Sequence, residues 1–458
     1  VTEAGAGPPT WSSRFAVYLA TIGAAVGLGS IWRFPYLAGT GGGSAFILVF
    51  VLAIALIATP LLAAELMIGR RARLSPPAAA GAVARQSGLS GAWNAIGVLG
   101  TAAAFLIISY YAVVAGWVLA YTWKCGRGVL SGLSHDEVAA LWRGFLRSPV
   151  EMGAWHLGFV CLVAFFSARG LRRGIEVATK IRGPALLLLL LVLDAYALAT
   201  GDAQRGLAFA FAPNFGAITP EIVLVAIGQA FYATGVGMGM MLAYGAYVPR
   251  GTSLVRSASM ISGSILLVSL LSTLLVFPLV FRYGMNPAQG AELVFDVLAK
   301  AFAEMPAGRL VGTLFFLLLV FAALTPSIAA LEPVIAHLQQ TRGWSRAAAA
   351  LIAAGAAWLL GIPSVLSFNL WAGFRPLGFL PGFAEKTWFD TADYVASNVL
   401  LPVGAVLTSV FVGWRLSRAM MEEELPETAP WARRACILLL RFVCPIAIVA
   451  VLLAKLLG

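Results

Sequence analysis

Charge is what this sequence has least of. Only 11% of its 458 residues are Asp, Glu, Lys or Arg, and it holds three histidines and four cysteines. A soluble domain carries about 25% charged residues, so a water-facing enzyme with one apolar patch is excluded. The cysteines cannot frame a disulfide-stapled fold: Cys161, Cys436 and Cys444 lie in apolar runs, and Cys125 stands alone at the end of another. His135, His156 and His337 are far apart, so no Cys/His metal cluster is expected. HExxH, a GxSxG elbow and a P-loop are all missing, which predicts a chain that is not an enzyme.

What is abundant is apolar surface. Hydrophobic residues make up 60% of the chain, and the 48 glycines and 23 prolines are scattered through long apolar runs, unlike collagen or a disordered tail. Hydropathy marks eleven segments, about 14–38, 44–69, 95–123, 155–169, 184–200, 219–247, 258–281, 309–337, 347–368, 391–414 and 433–456. Helices are the economical reading, because unpaired backbone groups in hydrocarbon cost several kcal/mol each. An all-α, multi-pass membrane protein follows, with the lipid bilayer as its solvent. Val1 to Ser13 is polar and contains proline, so the first apolar helix is expected to serve as the insertion signal.

The net charge of +11 would suggest nucleic acid in a soluble chain. Here the cations read as topogenic, and no nucleic-acid partner is expected. Arg70, Arg71, Arg73 and Arg85, then Arg172, Arg173, Lys180 and Arg182, crowd the loops on one side. That bias predicts a cytoplasmic N-terminus and an outer C-terminus.

Two spans are interrupted by glycine. Segment 1 carries Gly23-Ala-Ala-Val-Gly27-Leu-Gly29-Ser30, and segment 6 carries Ala233-Thr234-Gly235-Val236-Gly237-Met238-Gly239. One cluster alone would read as a helix-packing motif. Two of them five segments apart predict an inverted repeat, because a second group of five starts from the opposite side of the membrane. The expected organisation is one domain over 1–458, with repeats at about 14–200 and 219–414 and an extra helix at about 433–456. An unwound turn at mid-membrane frees amides, which suit a carboxylate, and carbonyls, which suit a small hard cation. The residues alone thus predict binding of a zwitterion or anion beside a cation. Charges within spans need partners or water; Arg33, Asp393, Glu65, Glu332 and Asp194 are such charges, and Asp194 has no partner that the sequence can name.

The motifs then point to a family. Trp11, Ala25-Val-Gly-Leu-Gly-Ser-Ile-Trp-Arg-Phe-Pro35, Gly41-Gly-Gly43 and Gly69-Arg70 resemble the first two helices of the neurotransmitter:sodium symporters. Tyr110-Tyr111, Gly228-Gln229-Ala-Phe-Tyr232, Leu360-Gly-Ile-Pro-Ser-Val-Leu-Ser367 and Ser397-Asn398-Val-Leu-Leu-Pro402 follow in the family's order. Eleven helices resemble its bacterial amino-acid branch, which implies the leucine-transporter-type 5+5 inverted repeat in an inner membrane, as a monomer or homodimer.

The resemblance implies roles. Tyr111 would hold the substrate carboxylate, with backbone amides of Leu28 and Gly29. Gly27 stands where amine-transporting relatives have an aspartate, so the substrate would bring its own carboxylate. Ile107, Tyr232, Ala233, Gly235, Met238, Pro326 and Ala330 would line the side-chain pocket; the small Gly235 and Ala330 and the flexible Met238 imply bulky aliphatic or aromatic amino acids. Arg33 and Asp393 match an outer gate pair, and Glu65 an acid that braces the broken part of helix 6.

The family's ion sites are altered. At the first, beside Ala25, Ser30 replaces Asn while Ala233 and Ile265 offer no oxygen, so this site is expected to hold no Na⁺. At the second, Gly23, Val26 and Ala322 would give carbonyls and Thr325 a hydroxyl, but Pro326 replaces an oxygen-bearing residue. One Na⁺ is therefore expected. A chloride site is not, because Phe50 and Ala233 supply no hydroxyl beside Gln229 and Ser269. Pro8 and Gln340 replace the inner gate's Arg and acid. The expected function is Na⁺-coupled symport of hydrophobic L-amino acids by alternating access. The alternatives are proton-coupled or cation-independent transport, with Glu332 as a titrating group, or a membrane sensor that binds an amino acid without net transport.

Overall fold

The computed structural model describes residues 21, 22, 25–170, 177–288, 294–426 and 429–457, and every regular element among them is helical. The second part of α1 is Gly29–Arg33 followed by Phe34–Thr40. Then come α2 (Ser44–Ala72), α3 (Gly91–Gly126), α4 (Pro149–Ala168) and α5 (Gly183–Thr200). Helix α6 is two pieces, Pro220–Thr234 and Met240–Gly245. It is followed by α7 (Leu254–Arg282), α8 (Gly308–Arg342), α9 (Arg346–Leu366), α10 (Trp388–Arg415) and α11 (Pro430–Ala454). Nine of these helices, among the described residues, are continuous and apolar enough to cross a bilayer. They coincide with the continuous segments that hydropathy marks, and segments 1 and 6 are the two that break.

Local chemistry sets where these helices begin. Ser148 and Thr219, each followed by proline at the first helical position, accept from the amides of Glu151 and Ile222 at 3.3 Å. Ser253 and Ser345 cap α7 and α9 in the same way, and Thr387 forms a reciprocal capping box with Asp390 at the start of α10. Each such cap satisfies an otherwise orphaned donor and is worth about 1 kcal/mol.

The outward faces are apolar at helical spacing. Leu48, Leu52 and Leu56 are exposed on α2, Leu188, Leu191 and Val192 on α5, and Ile446, Val449 and Leu453 on α11. In water such stripes would drive aggregation; in hydrocarbon they need nothing else. Inside, α3 and α8 pair along their length, with α4 and α9 packed on both. On the other side α2 packs on the second piece of α6 and on α7, and α7 packs on the second part of α1. The α2–α6 seam is backbone against backbone: a Cβ on Gly245 would lie 2.6 Å from the Leu66 carbonyl oxygen, and one on Gly69 would strike that of Leu242. Small residues allow this approach. The two helix groups meet where α1 and α6 come apart.

Candidate functional site

The two breaks are built differently. In α6, Gly235, Gly237 and Gly239 have φ of +67°, +83° and +69°, the left-handed region that penalises residues with a Cβ. The freed amide of Gly237 donates to Glu65 Oε1 at 2.7 Å, and Glu65 is buried on α2. In α1 the helix is lost at Val26 and Gly27. Val26 N–H donates back to the Ile22 carbonyl at 2.8 Å, and Ser30 N–H donates to that of Gly27 at 3.0 Å. Gly27 is not in the left-handed region; what it needs is room. A Cβ there would lie 2.8 Å from Pro326 Cγ and 3.2 Å from Tyr111 Oη.

Between the breaks lies a small cavity of about 40 Å³. Of the residues proposed for the substrate, Gly27, Gly29, Ile107, Tyr111, Tyr232, Ala233, Gly235, Met238, Pro326 and Ala330 all line it. Leu28 does not, but its amide points there: Leu28 N–H donates to Tyr111 Oη at 3.2 Å. The hydroxyl proton of Tyr111 has no acceptor among the described residues, so it is left for a guest. Sequence reasoning missed Ile108 and Met240. Ile108 adjoins Ile107 on α3, and Met240 reaches back across the unwound turn so that its methyl occupies the space beside Gly235 where a side chain would stand. No periodicity could signal that, because the chain between them is not a helix.

The residues expected to form a second ion station lie beside the α1 break, as far as they are described. Gly23 lies outside the described residues, as do Pro8 and Trp11. Val26, Ala322 and Thr325 are buried, and the Ala322 carbonyl oxygen lies 3.5 Å from where a Gly27 Cβ would be. Pro326 explains why that carbonyl is available. It sits inside α8 and has no N–H, so the bond that residue 326 would give to the carbonyl four residues back cannot form. The proline that offers no side-chain oxygen therefore leaves a backbone oxygen without its helical donor. Thr325 Oγ1 makes only a long 3.4 Å bond to the Phe321 carbonyl, and Ser327, whose hydroxyl donates to the Ala323 carbonyl at 2.8 Å, also borders the cavity. At the first station Ala25 borders the cavity, Ile265 is fully buried, and Ser30 Oγ has no partner among the described residues. One hydroxyl beside two apolar side chains is a poor replacement for sodium's water. Gln229 is engaged elsewhere, donating from Nε2 to the Gly29 carbonyl at 2.7 Å.

Above the cavity, Arg33 Nη1 stands 3.8 Å from Asp393 Oδ1, and its guanidinium lies 4.2 Å from the centre of the Tyr232 ring. Tyr110 Oη and Ser397 Oγ also donate to Asp393 Oδ1, at 2.9 and 3.1 Å. Both partners sit in or beside π-helical turns, Gly29–Arg33 in α1 and Ala396–Leu400 in α10, a widening that recurs where helices carry function. At the other end Glu332 is buried, and Arg346 grips both of its oxygens at 2.9 and 2.6 Å while Tyr247 Oη donates to one at 2.9 Å. Both oxygens of Glu332 are thus engaged by donors, two of them from the charged fork of Arg346. Asp194 is buried, and neither of its oxygens has a partner among the described residues.

The profile of the sodium:neurotransmitter symporter family matches residues 8–138 and 149–457. The chain belongs to the sodium:neurotransmitter symporter family. Its family and structural neighbours are transporters and not enzymes, and the chain is a multi-pass membrane transporter. As in other members of the sodium:neurotransmitter symporter family, the fold is the leucine-transporter type, an inverted repeat broken at α1 and α6. The sodium-dependent transporter YhdH of Bacillus subtilis is 36% identical over 97% of this chain and 97% of its own length. A sodium-dependent transporter of Haemophilus influenzae is 32% identical over 90% and 91%. Among solved structures, MhsT in complex with L-phenylalanine superposes with a TM-score of 0.87 at 37% identity, covering 98% of this chain and all of that one.

Proposed function

We propose that this transporter carries hydrophobic, bulky or aromatic L-amino acids inward across a bacterial inner membrane, coupled to one Na⁺. The observation that carries the reading is the cavity between the two breaks, which is apolar except at one corner. At that corner Tyr111 Oη and the Leu28 amide meet at 3.2 Å beside Gly27, where no fixed carboxylate competes. A substrate carboxylate would part this pair and accept from both, assisted by the positive end of the outer half of α1. Its side chain would lie toward Gly235, Met238, Met240 and Ala330. Two methionines there let the pocket widen at little cost, which suits large apolar groups. The likeness to MhsT with bound L-phenylalanine supports the same class of substrate.

The Ala322 carbonyl, which lacks a donor from Pro326, and the weakly bonded Thr325 hydroxyl support sodium at the second station beside the α1 break, where its charge would hold α1 against α8. One chain, alone or in a homodimer, with its N-terminus inside, is the proposed unit of transport; chloride takes no part. Moving one net charge inward adds about 2.3 kcal/mol per 100 mV.

Uptake of labelled phenylalanine or tryptophan into proteoliposomes tests this. An inward Na⁺ gradient is expected to drive accumulation that an equal choline gradient does not. Equal uptake under both would remove sodium coupling, and binding without accumulation would point instead to a sensor. Tyr111→Phe deletes one of the two carboxylate donors and is expected to weaken phenylalanine binding about tenfold or more. Unchanged binding would remove that role from Tyr111.

A further inference from the structure

Away from the cavity, at the end where α2 finishes and α7 begins, four arginines surround a second pocket. Arg70, Arg71, Arg73 and Arg250, with Glu423, Glu424 and Gln86, line an open pocket of about 350 Å³. Two of the four are satisfied. Arg70, only 6% exposed, donates from Nε to Glu424 Oε2 at 2.9 Å, from Nη1 to the Thr252 carbonyl at 2.7 Å, and from Nη2 to the Glu424 carbonyl. Arg71 Nη1 meets Glu423 Oε1 at 2.7 Å and Glu424 Oε1 at 3.3 Å, and its Nε donates to Gln86 Oε1 at 3.0 Å.

The other two have no anion or acceptor among the described residues. Four cations against two anions leave a formal surplus of two positive charges around the space. Arg73 also ends α2 in the left-handed region, at φ +53° and ψ +32°, a position that usually falls to glycine or asparagine. Topogenic bias accounts for arginines in this loop. It does not account for their convergence on one open pocket with two guanidinium groups that no acidic side chain meets among the described residues.

We propose that this pocket binds a phosphate group, held between Arg73 and Arg250 against the fixed Arg70–Glu424 pair. Guanidinium presents a planar fork of donors that matches phosphate oxygens two at a time. Basic pockets between membrane helices at headgroup depth take anionic headgroups in this way. The group comes from an anionic phospholipid of the adjacent leaflet or from free phosphate, and the two sources are separable.

The purified, delipidated protein is equilibrated with phosphatidylcholine micelles that contain, or lack, phosphatidylglycerol, and retained lipid is counted by native mass spectrometry. Retention of phosphatidylglycerol about tenfold above phosphatidylcholine is expected, and Arg73→Ala with Arg250→Ala should abolish the difference. Glu423→Gln, whose side chain is 63% exposed, raises the surplus by one charge and should increase retention several-fold. In a second arm, millimolar inorganic phosphate is tested for protection of Arg250 from phenylglyoxal. Protection without lipid preference assigns the site to free phosphate. The proposal is overturned if neither probe distinguishes wild type from the double variant while that variant still binds phenylalanine. Should the double variant not fold, failure of Glu423→Gln to raise retention or protection overturns it.

Discussion

The breaks in α1 and α6 serve one cavity but rest on different physics. The α6 break is written into backbone conformation, since three alternate glycines take positive φ. The α1 break has no such residue at its centre, and Gly27 is there because Pro326 and Tyr111 leave no space for a Cβ. A helix can thus be interrupted at mid-membrane by a local conformational demand or by what its neighbours press against it. The first kind should resist substitution through folding, the second through ligand binding.

Gly237→Ala is the strongest way to break this contrast. It places a Cβ in the left-handed region and 2.6 Å from the Leu401 carbonyl oxygen, so a loss of about 3 kcal/mol is expected. Thermal unfolding of the purified protein measures it, and an unshifted midpoint would show that the α6 turn does not need glycine there. Gly27→Ala should cost less stability, about 1 kcal/mol, while weakening phenylalanine binding by about tenfold, as Tyr111 and the α1 turn are pushed apart. Adding Pro326→Ala to that variant should restore part of the binding, because the closest obstacle is the proline ring; strict additivity would mean the two residues do not meet in the way described. The smallest effect is expected for Pro326→Ala alone. It returns an amide to α8, lets the Ala322 carbonyl rejoin its helix, and should weaken Na⁺ dependence of binding by a few-fold, about 1 kcal/mol. Sodium titration of substrate binding reads this, and tighter Na⁺ binding would contradict the role given to the freed carbonyl.

Most of the cavity was legible beforehand because motifs fall on the same short stretches that break. Gly27, Tyr111, Tyr232 and Met238 are named by sequence and do converge. Met240 and Ile108 were not named, since their placement depends on how the unwound turn folds back and how α3 is rotated. Pro326 shows the subtler limit. Read alone it is a missing oxygen; inside α8 it is the reason that another oxygen is free. Glu332 shows the reverse, a charge with no partner named in its own segment, both of whose oxygens are held by Arg346 from the next helix.

Sequence alone determined that the chain lives in lipid, that it crosses in eleven segments, and that the first and sixth are interrupted. Those are properties of single segments, set by the cost of moving a residue into hydrocarbon or a Cβ into a left-handed turn, and each can be evaluated without knowing any neighbour. Tertiary structure alone decided which charges cancel, which arginines stay uncompensated, where Met240 reaches, and that Gly27 is a matter of space. These depend on atoms brought together from distant parts of the chain, where a shift of about 1 Å changes a contact into a gap and the energy changes with it.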